Sequence, residues 1–379
     1  MSGRWFSFPR LLAVIVKEFV QMRRDRLTFA MMVGIPLLQL TLFGYAINTD
    51  PKRLPTVVLA LDQSDLARSI VAALQNSGYY RIVGFARDRR EVDRVLDRGD
   101  ALFAVTIPVA FAREVMRGRR PALLVEGDAS DPVATGNALA ALARLERTAL
   151  AHDLGGALSP LTGSAPPFEL RVHRRYNPEG LSSYNIVPGL VGTILTMTMV
   201  VMTSLAVTRE RERGTMEHLL ATPVTPLEVM IGKLLPFIGV GLIQVAVIIG
   251  AAMLLFDVPM LGSPAALALA LLLFIAANLA MGFLFSTLAK NQLQAMQMSF
   301  FFFLPSILMS GFMFPFKGMP QWAQAIGEVL PLTHFLRIVR GVMLKGNGFG
   351  EAWPNLWPLV LFLLAVATLA VARYQRTLD

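Results

Sequence analysis

Five carboxylates lie close enough along the chain to raise the possibility of a catalytic or metal-binding cluster: Asp62, Asp65, Glu126, Asp128 and Asp131. Such a group would move protons or hold a hard cation. The setting of the aspartates points to another role. They follow short apolar runs and precede stretches of helical spacing, the turn position where Asp caps a helix. The four histidines, His152, His173, His218 and His334, are scattered and form no HExxH pair, so a metal-ligand reading is disfavoured at each. The absence of cysteine excludes a disulfide framework, an iron–sulfur cluster and a thiolate zinc site. The Gly232-Lys233 pair has Leu227 where a phosphate-binding loop needs glycine and Leu234 where it needs Ser or Thr, so no nucleotide site of that kind is expected. Gly346, Gly348 and Gly350 alternate in what reads as a loop with no helix after it, which argues against a dinucleotide fingerprint.

The segment Arg209-Glu210-Arg211-Glu212-Arg213 leads into Gly214-Thr215-Met216-Glu217-His218-Leu219-Leu220, where Met216, Leu219 and Leu220 share one helical face and Glu217 lies on the other. Thr222-Pro223 ends that helix. Thr225-Pro226-Leu227-Glu228 opens another, with Thr as N-cap, Pro at the first helical position and Glu three residues after the cap. The pattern predicts a short helix across the mouth between two spans, either resting on lipid or gripped by a soluble partner.

The elements that position these residues are set by composition. Of 379 residues, 54% are hydrophobic and only 16% charged, and the mean hydropathy is +0.55; one buried core cannot absorb that excess, so long runs must face lipid. Six runs free of ionisable residues qualify: Phe29 to Ile47, Ile186 to Val207, Leu234 to Phe256, Pro264 to Leu288, Met296 to Phe314 and Pro354 to Ala372. The expectation is a polytopic α-helical membrane protein with six transmembrane helices. With the N-terminus inside, the inner pieces hold 13 basic residues against 4 in the two shorter outer loops, which puts both termini in the cytoplasm. The divisions are an arm over 1–28, a first span over 29–47, an outer domain over 48–183, a second span over 184–207 and an inner loop over 208–233. Three spans over 234–314 follow, then an interrupted, partly re-entrant outer segment over 315–353, a last span over 354–372 and a tail over 373–379. The net charge of +9 gives a basic inner rim suited to anionic lipid rather than nucleic acid.

Residues 48–183 spread their charges evenly and read as a water-soluble α/β domain inserted between two spans. Strands are expected at Thr56 to Leu61, Arg81 to Phe85, Ala101 to Ile107 and Ala122 to Val125, and helices at Ser64 to Gln75, Asp88 to Leu96, Ala110 to Arg117 and Pro132 to Leu150. Protein docking or gating of an exit suits it better than catalysis. Within the spans, Gly189, Gly192, Thr193, Thr196 and Thr203 form a small-residue stripe that reads as a packing seam or a pathway lining. Phe300 to Phe303, with Phe302 among them, and Phe312 and Phe314 face either lipid or an apolar substrate near Ser310. No ionisable group sits inside a span, so ion-coupled transport is disfavoured and energy must enter from a partner.

Several blocks in order resemble permease subunits of the ABC-2 family of ATP-driven exporters, in the multidrug-efflux branch with a large periplasmic insertion after the first span. They are Val16-Lys17-Glu18 with Arg24-Asp25, Ile35-Pro36-Leu37-Leu38, Phe43-Gly44-Tyr45, Asn177-Pro178, Val187-Pro188-Gly189 and the run from Arg209 to Glu217. Leu304-Pro305-Ser306, Ser310-Gly311, Phe314-Pro315, Met319-Pro320 and Leu330-Pro331-Leu332-Thr333-His334-Phe335 complete them. The resemblance implies an inner-membrane subunit that is not itself an enzyme. Its partners would be a separate ABC ATPase, which binds ATP and Mg, a second permease, identical or homologous, as dimer partner, and a periplasmic membrane-fusion adaptor. It implies that the loop between spans two and three grips the ATPase, which makes Arg213, Gly214, Thr215 and Glu217 the candidate coupling residues; the stripe and the aromatics make Gly189, Thr193, Thr196, Phe302 and Ser310 candidates for the dimer or pathway lining. It also implies an amphipathic connecting helix before the first span, which residues 11–26 show independently, with Leu12, Ile15, Phe19 and Met22 on one side and Lys17, Gln21 and Arg24 on another. The competing reading is a membrane sensor whose outer domain binds a ligand or protein and signals through the inner loop.

Overall fold

A computed structural model describes residues 51–130, 132–154, 166–212 and 226–376. The N-terminal arm, the first apolar run and the inner helix expected over 214–220 lie outside the described residues.

Five strands, β1 (Leu54–Ala60), β2 (Tyr80–Phe85), β3 (Phe103–Ile107), β4 (Ala122–Asp128) and β5 (Glu169–Arg175), form one sheet in the order β2-β1-β3-β4-β5. Only β3 and β4 pair antiparallel. Four helices join them: α1 (Asp65–Asn76), α2 (Arg89–Arg98), α3 (Phe111–Met116) and α4 (Pro132–Thr148). Their ends follow local chemistry. The Ser64 hydroxyl accepts from Ala67 N at the start of α1, Asp88 accepts from Glu91 N at 2.8 Å at the start of α2, and Gly99 ends α2 in the left-handed region at φ 75°. One sheet face buries Leu54, Val58, Phe103 and Val125 against α1, α3 and α4; the other buries Val57, Leu59 and Ala104 against Val92 and Leu96 of α2. Strand β5, which was not among the expected strands, carries Glu, His and three Arg in seven residues. It lies at the sheet edge, where charge is tolerated and no apolar run announces a strand.

The second half is helical: α5 (Ser182–Glu212), α6 (Pro226–Phe256), α7 (Pro264–Leu288), α8 (Gln292–Met309), α9 (Gln321–Gly327), α10 (Pro331–Arg340), one wide π-type turn at Gly341–Lys345, and α11 (Phe349–Arg376). Among the described residues, α5, α6, α7 and α11 are long and apolar enough to cross a membrane. Helix α7 is the central pillar, with 67% of its apolar window buried among the described residues against 17% for α6 and 22% for α11. Gly282 on α7 lies so close to α5 that an added Cβ would sit 2.6 Å from the Val200 carbonyl, and Phe274 stacks on Phe335 of α10 with centroids 4.3 Å apart.

Three boundaries differ from expectation. The helix opened at Pro226 does not stop short of the third span but runs unbroken into it, because backbone hydrogen bonding does not end where apolar side chains do. The fifth run breaks early: α8 ends at Met309, and Gly311 turns left-handed at φ 87°. Gly346 to Gly350 does have a helix after it, since α11 starts at Phe349, where the Glu351 carboxylate accepts from Gly348 N at 3.0 Å and fixes the first turn.

Candidate functional site

Two polar joints lie at opposite ends of α5. At its C-terminal end, the Glu212 carboxylate accepts from both nitrogens of Gln292, the backbone at 2.8 Å and the side chain at 2.5 Å, while Arg209 Nε donates to Gln292 Oε1 at 3.4 Å. Gln292 opens α8 just after its N-cap, Asn291. The Gln292 side chain and then its backbone N–H hold the Glu212 carboxyl below the ordinary glutamate range. The C-terminal end of α5 is thereby tied to the corner between α7 and α8. Arg213, Gly214, Thr215 and Glu217, the expected coupling residues, lie outside the described residues.

At the N-terminal end of α5, β5 leads into Tyr176, held at φ 66°, and then Asn177, whose side chain both accepts from Leu181 N and donates to Leu181 O at 2.9 Å. That reciprocal pair sets the turn into α5 and explains the Asn177-Pro178 motif. The Tyr176 hydroxyl donates to Asp97 at 2.5 Å, and its ring lies under Lys345 at 4.9 Å and Arg175 at 5.3 Å. Burial and then the Asp97 hydrogen bond raise the Tyr176 pKa, so it stays a neutral donor. Lys345, at the end of the π-type turn, projects into the α/β domain. Its ammonium donates to Asp128 at 2.5 Å and to the Leu96 carbonyl at 3.2 Å, and the two side chains are only 8% and 3% exposed. Asn347 donates to the Asp97 carbonyl at 3.1 Å. Glu126, also buried, holds Arg89 in a two-pronged ion pair and faces His173 at 3.6 Å; Arg175 reaches Asp93 at 2.7 Å. A cavity of about 140 Å³ remains between domain and helices at this level.

Asp131 lies outside the described residues, and the other four carboxylates serve separate partners. Asp62 bridges Ser64 N and Ala112 N at 2.8 and 3.1 Å; burial alone would raise its pKa, but these donors hold it below the usual range. Asp65 pairs with Arg68 on the surface. Asp128 accepts from Ser130 N at 3.0 Å, as a turn aspartate does, yet its other oxygen takes Lys345. Asp128 anchors the joint to the bundle and Glu126 ties β4 to α2 and β5 within the domain; the sequence signal that marks both is a carboxylate at the end of a strand too apolar to face water.

In the helices, Gly189, Thr193 and Thr196 lie on the packed face of α5. A Cβ on Gly189 would meet Phe312 at 2.4 Å, one on Gly192 would meet Leu332 of α10 at 2.7 Å, and both threonines are buried. Phe302 meets Phe285 edge-on at 6.0 Å, and Ser310 is buried at the end of α8. Unanticipated polar contacts tie the bundle: Ser204 with Ser299 of α8 and Thr198 with Gln244 of α6, each at 2.9 Å, the kind of hydrogen bond that fastens helices in lipid.

Comparison with known proteins agrees with this architecture. Residues 26–372 match the model of the family described as ABC-2 family transporter protein. The chain is 32% identical to the Escherichia coli protein named "Probable multidrug ABC transporter permease YbhS", over the whole of both chains. It is 27% identical to its counterpart YbhR, named likewise, over 97% of this chain and 99% of that one. It is 30% identical to the E. coli "Inner membrane transport permease YhhJ" over 86% of each. A match over nearly the entire length, with a bundle of apolar helices joined to an α/β unit, shows that the chain belongs to the ABC-2 family of transporter proteins.

Proposed function

We propose that this chain is the permease subunit of an ATP-driven exporter in a bacterial inner membrane, moving apolar or amphipathic compounds such as drugs out of the cytoplasm or membrane. The full-length similarity to proteins named as multidrug ABC transporter permeases carries this reading and favours it over the sensor. Six spans, with 48–183 inserted on the periplasmic side and both termini inside, fit the charge asymmetry. A separate ATPase supplies ATP and Mg chemistry, a second permease completes the dimer, and a membrane-fusion adaptor meets the outer domain.

The mechanical reading rests on α5. Its 31 residues form one continuous helix about 46 Å long, with Pro188 near its start, running from just after the Asn177 turn to the clasp at Glu212. A stroke delivered to the inner loop through Arg213, Gly214, Thr215 and Glu217 shifts the helix. The Lys345–Asp128 joint then passes the shift between bundle and outer domain, while the seam at Gly189, Thr193 and Thr196 sets how α5 slides on α10. The test is co-purification with an ATPase in a nucleotide-dependent complex, coupled to drug accumulation in cells lacking the gene. An unchanged drug response with no ATPase in the complex refutes the proposal.

A further inference from the structure

A cleft of about 760 Å³ opens at the bundle surface beside the α/β domain. Its two ends differ in chemistry. The upper end carries Arg98 from the end of α2, Lys317 and Arg337. The lower is a strip of α11 formed by Trp357, Pro358, Leu361, Phe362 and Ala365. The Arg337 guanidinium is already committed, donating to both oxygens of Glu328 at 2.6 and 3.0 Å and lying over the Phe316 ring at 4.6 Å. Arg98 and Lys317 are exposed and make no ion pair among the described residues. Three cationic side chains, Arg98, Lys317 and Arg337, stand against two carboxylates, Asp100 and Glu328, in the lining, so the polar end keeps a net positive charge.

We propose that this cleft binds an anionic phospholipid of the leaflet on the α/β domain's side, with the phosphate between Arg98 and Lys317 and an acyl chain along α11. Three observations select a lipid over other occupants. The two free cations suit a phosphate. The strip from Pro354 to Ala365 spans about 16 Å of helix, close to the ~15 Å of hydrocarbon in one leaflet. Trp353 and Trp357, both exposed, lie in the first turns of α11 where the apolar strip begins, and tryptophan is enriched at the membrane interface. The inference concerns a resident lipid and stands whether or not the subunit exports drugs.

The test uses the full-length chain, purified in detergent, mixed with vesicles of phosphatidylcholine and phosphatidylglycerol in equal parts, repurified, and analysed for retained lipid by native mass spectrometry. Phosphatidylglycerol is expected to be retained in preference. Arg98→Gln with Lys317→Gln, which break no side-chain bond among the described residues, should weaken retention about fivefold per charge, or about 25-fold together. Arg113→Gln with Arg147→Gln, on helices across the sheet from α2, should leave it unchanged. A photoreactive residue in place of Leu361 should capture lipid. A double variant within twofold of the unaltered chain, an equal loss in the control pair, capture of a second copy or of residues 29–47, or displacement by inorganic phosphate alone would each overturn the proposal.

Discussion

Breaking the buried Lys345–Asp128 pair should release the outer domain from the bundle. In Lys345→Met the butyl stem is replaced by an apolar chain of similar length, while the Asp128 carboxylate stays buried and loses its partner, as do the Leu96 carbonyl and the Tyr176 ring. Stripping one member of a buried ion pair costs about 3 to 5 kcal/mol, whereas replacing both members by apolar residues is often near neutral. Even the lower figure raises the open fraction of the joint about 150-fold. The chain contains no cysteine, so a cysteine in place of Ser130, which is 7% exposed beside Asp128, reports opening cleanly. Its rate of alkylation should rise by about two orders of magnitude in Lys345→Met, and fall back most of the way in Lys345→Met with Asp128→Leu. An increase of less than about fivefold in the single variant would refute the reasoning, because the pair would then contribute little. So would a double variant as open as the single, since the domain would be held by contacts independent of the ion pair.

Four further outcomes are expected. Gly214→Val or Glu217→Ala should abolish substrate-stimulated ATP hydrolysis and export while membrane insertion stays intact, read by drug efflux with the ATPase present. In a topology assay with an impermeant thiol reagent, a cysteine replacing the exposed Arg113 should react in intact cells and one replacing Glu210 should not; Asp128 is a poor site for this label because it is buried. Gly189→Val, which drives a side chain into the Phe312 ring, should destabilise the solubilised chain by about 1 to 3 kcal/mol, whereas Gly239→Ala, with open space around it, should not destabilise it, as seen by thermal unfolding. Burial alone would raise the Glu328 pKa, but the two-pronged Arg337 bond outweighs it and lowers the folded value. The stability this pair adds should therefore be complete above the ordinary glutamate value of about 4.3 and be lost as pH falls through the depressed folded value; Glu328→Gln should flatten that acid limb of a thermal-stability profile.

The parts of the fold that were legible in the sequence are those written in local chemistry. Ser64 and Asp88 announce their helices because a cap needs only neighbours a few residues away, and β1 and β3 announce themselves because a buried strand must be continuously apolar. Strand β5 is held by register against β4 alone, and its arginines and His173 carry no periodic apolar signal. The joint was illegible for a related reason. Asp128 and Lys345 are 217 residues apart, and an aspartate in a turn looks the same whether it serves a backbone N–H or, as here, also a distant lysine. The small-residue stripe on α5 was readable as a close-packed surface, but its neighbours, Phe312 and Leu332, follow only from the folded bundle.

The unbroken α5 has an evolutionary consequence. Each residue of an α-helix adds about 100° of rotation, so inserting or deleting a single residue anywhere along α5 would turn the Glu212 clasp by more than a quarter circle relative to the Asn177 turn. No side-chain adjustment at either end can absorb that. Length variation among related chains should thus be confined to the outer domain and the loops, and any change tolerated inside α5 should come in whole numbers of turns, near seven residues for two, which keeps both ends in phase while moving them about 10 Å apart along the axis.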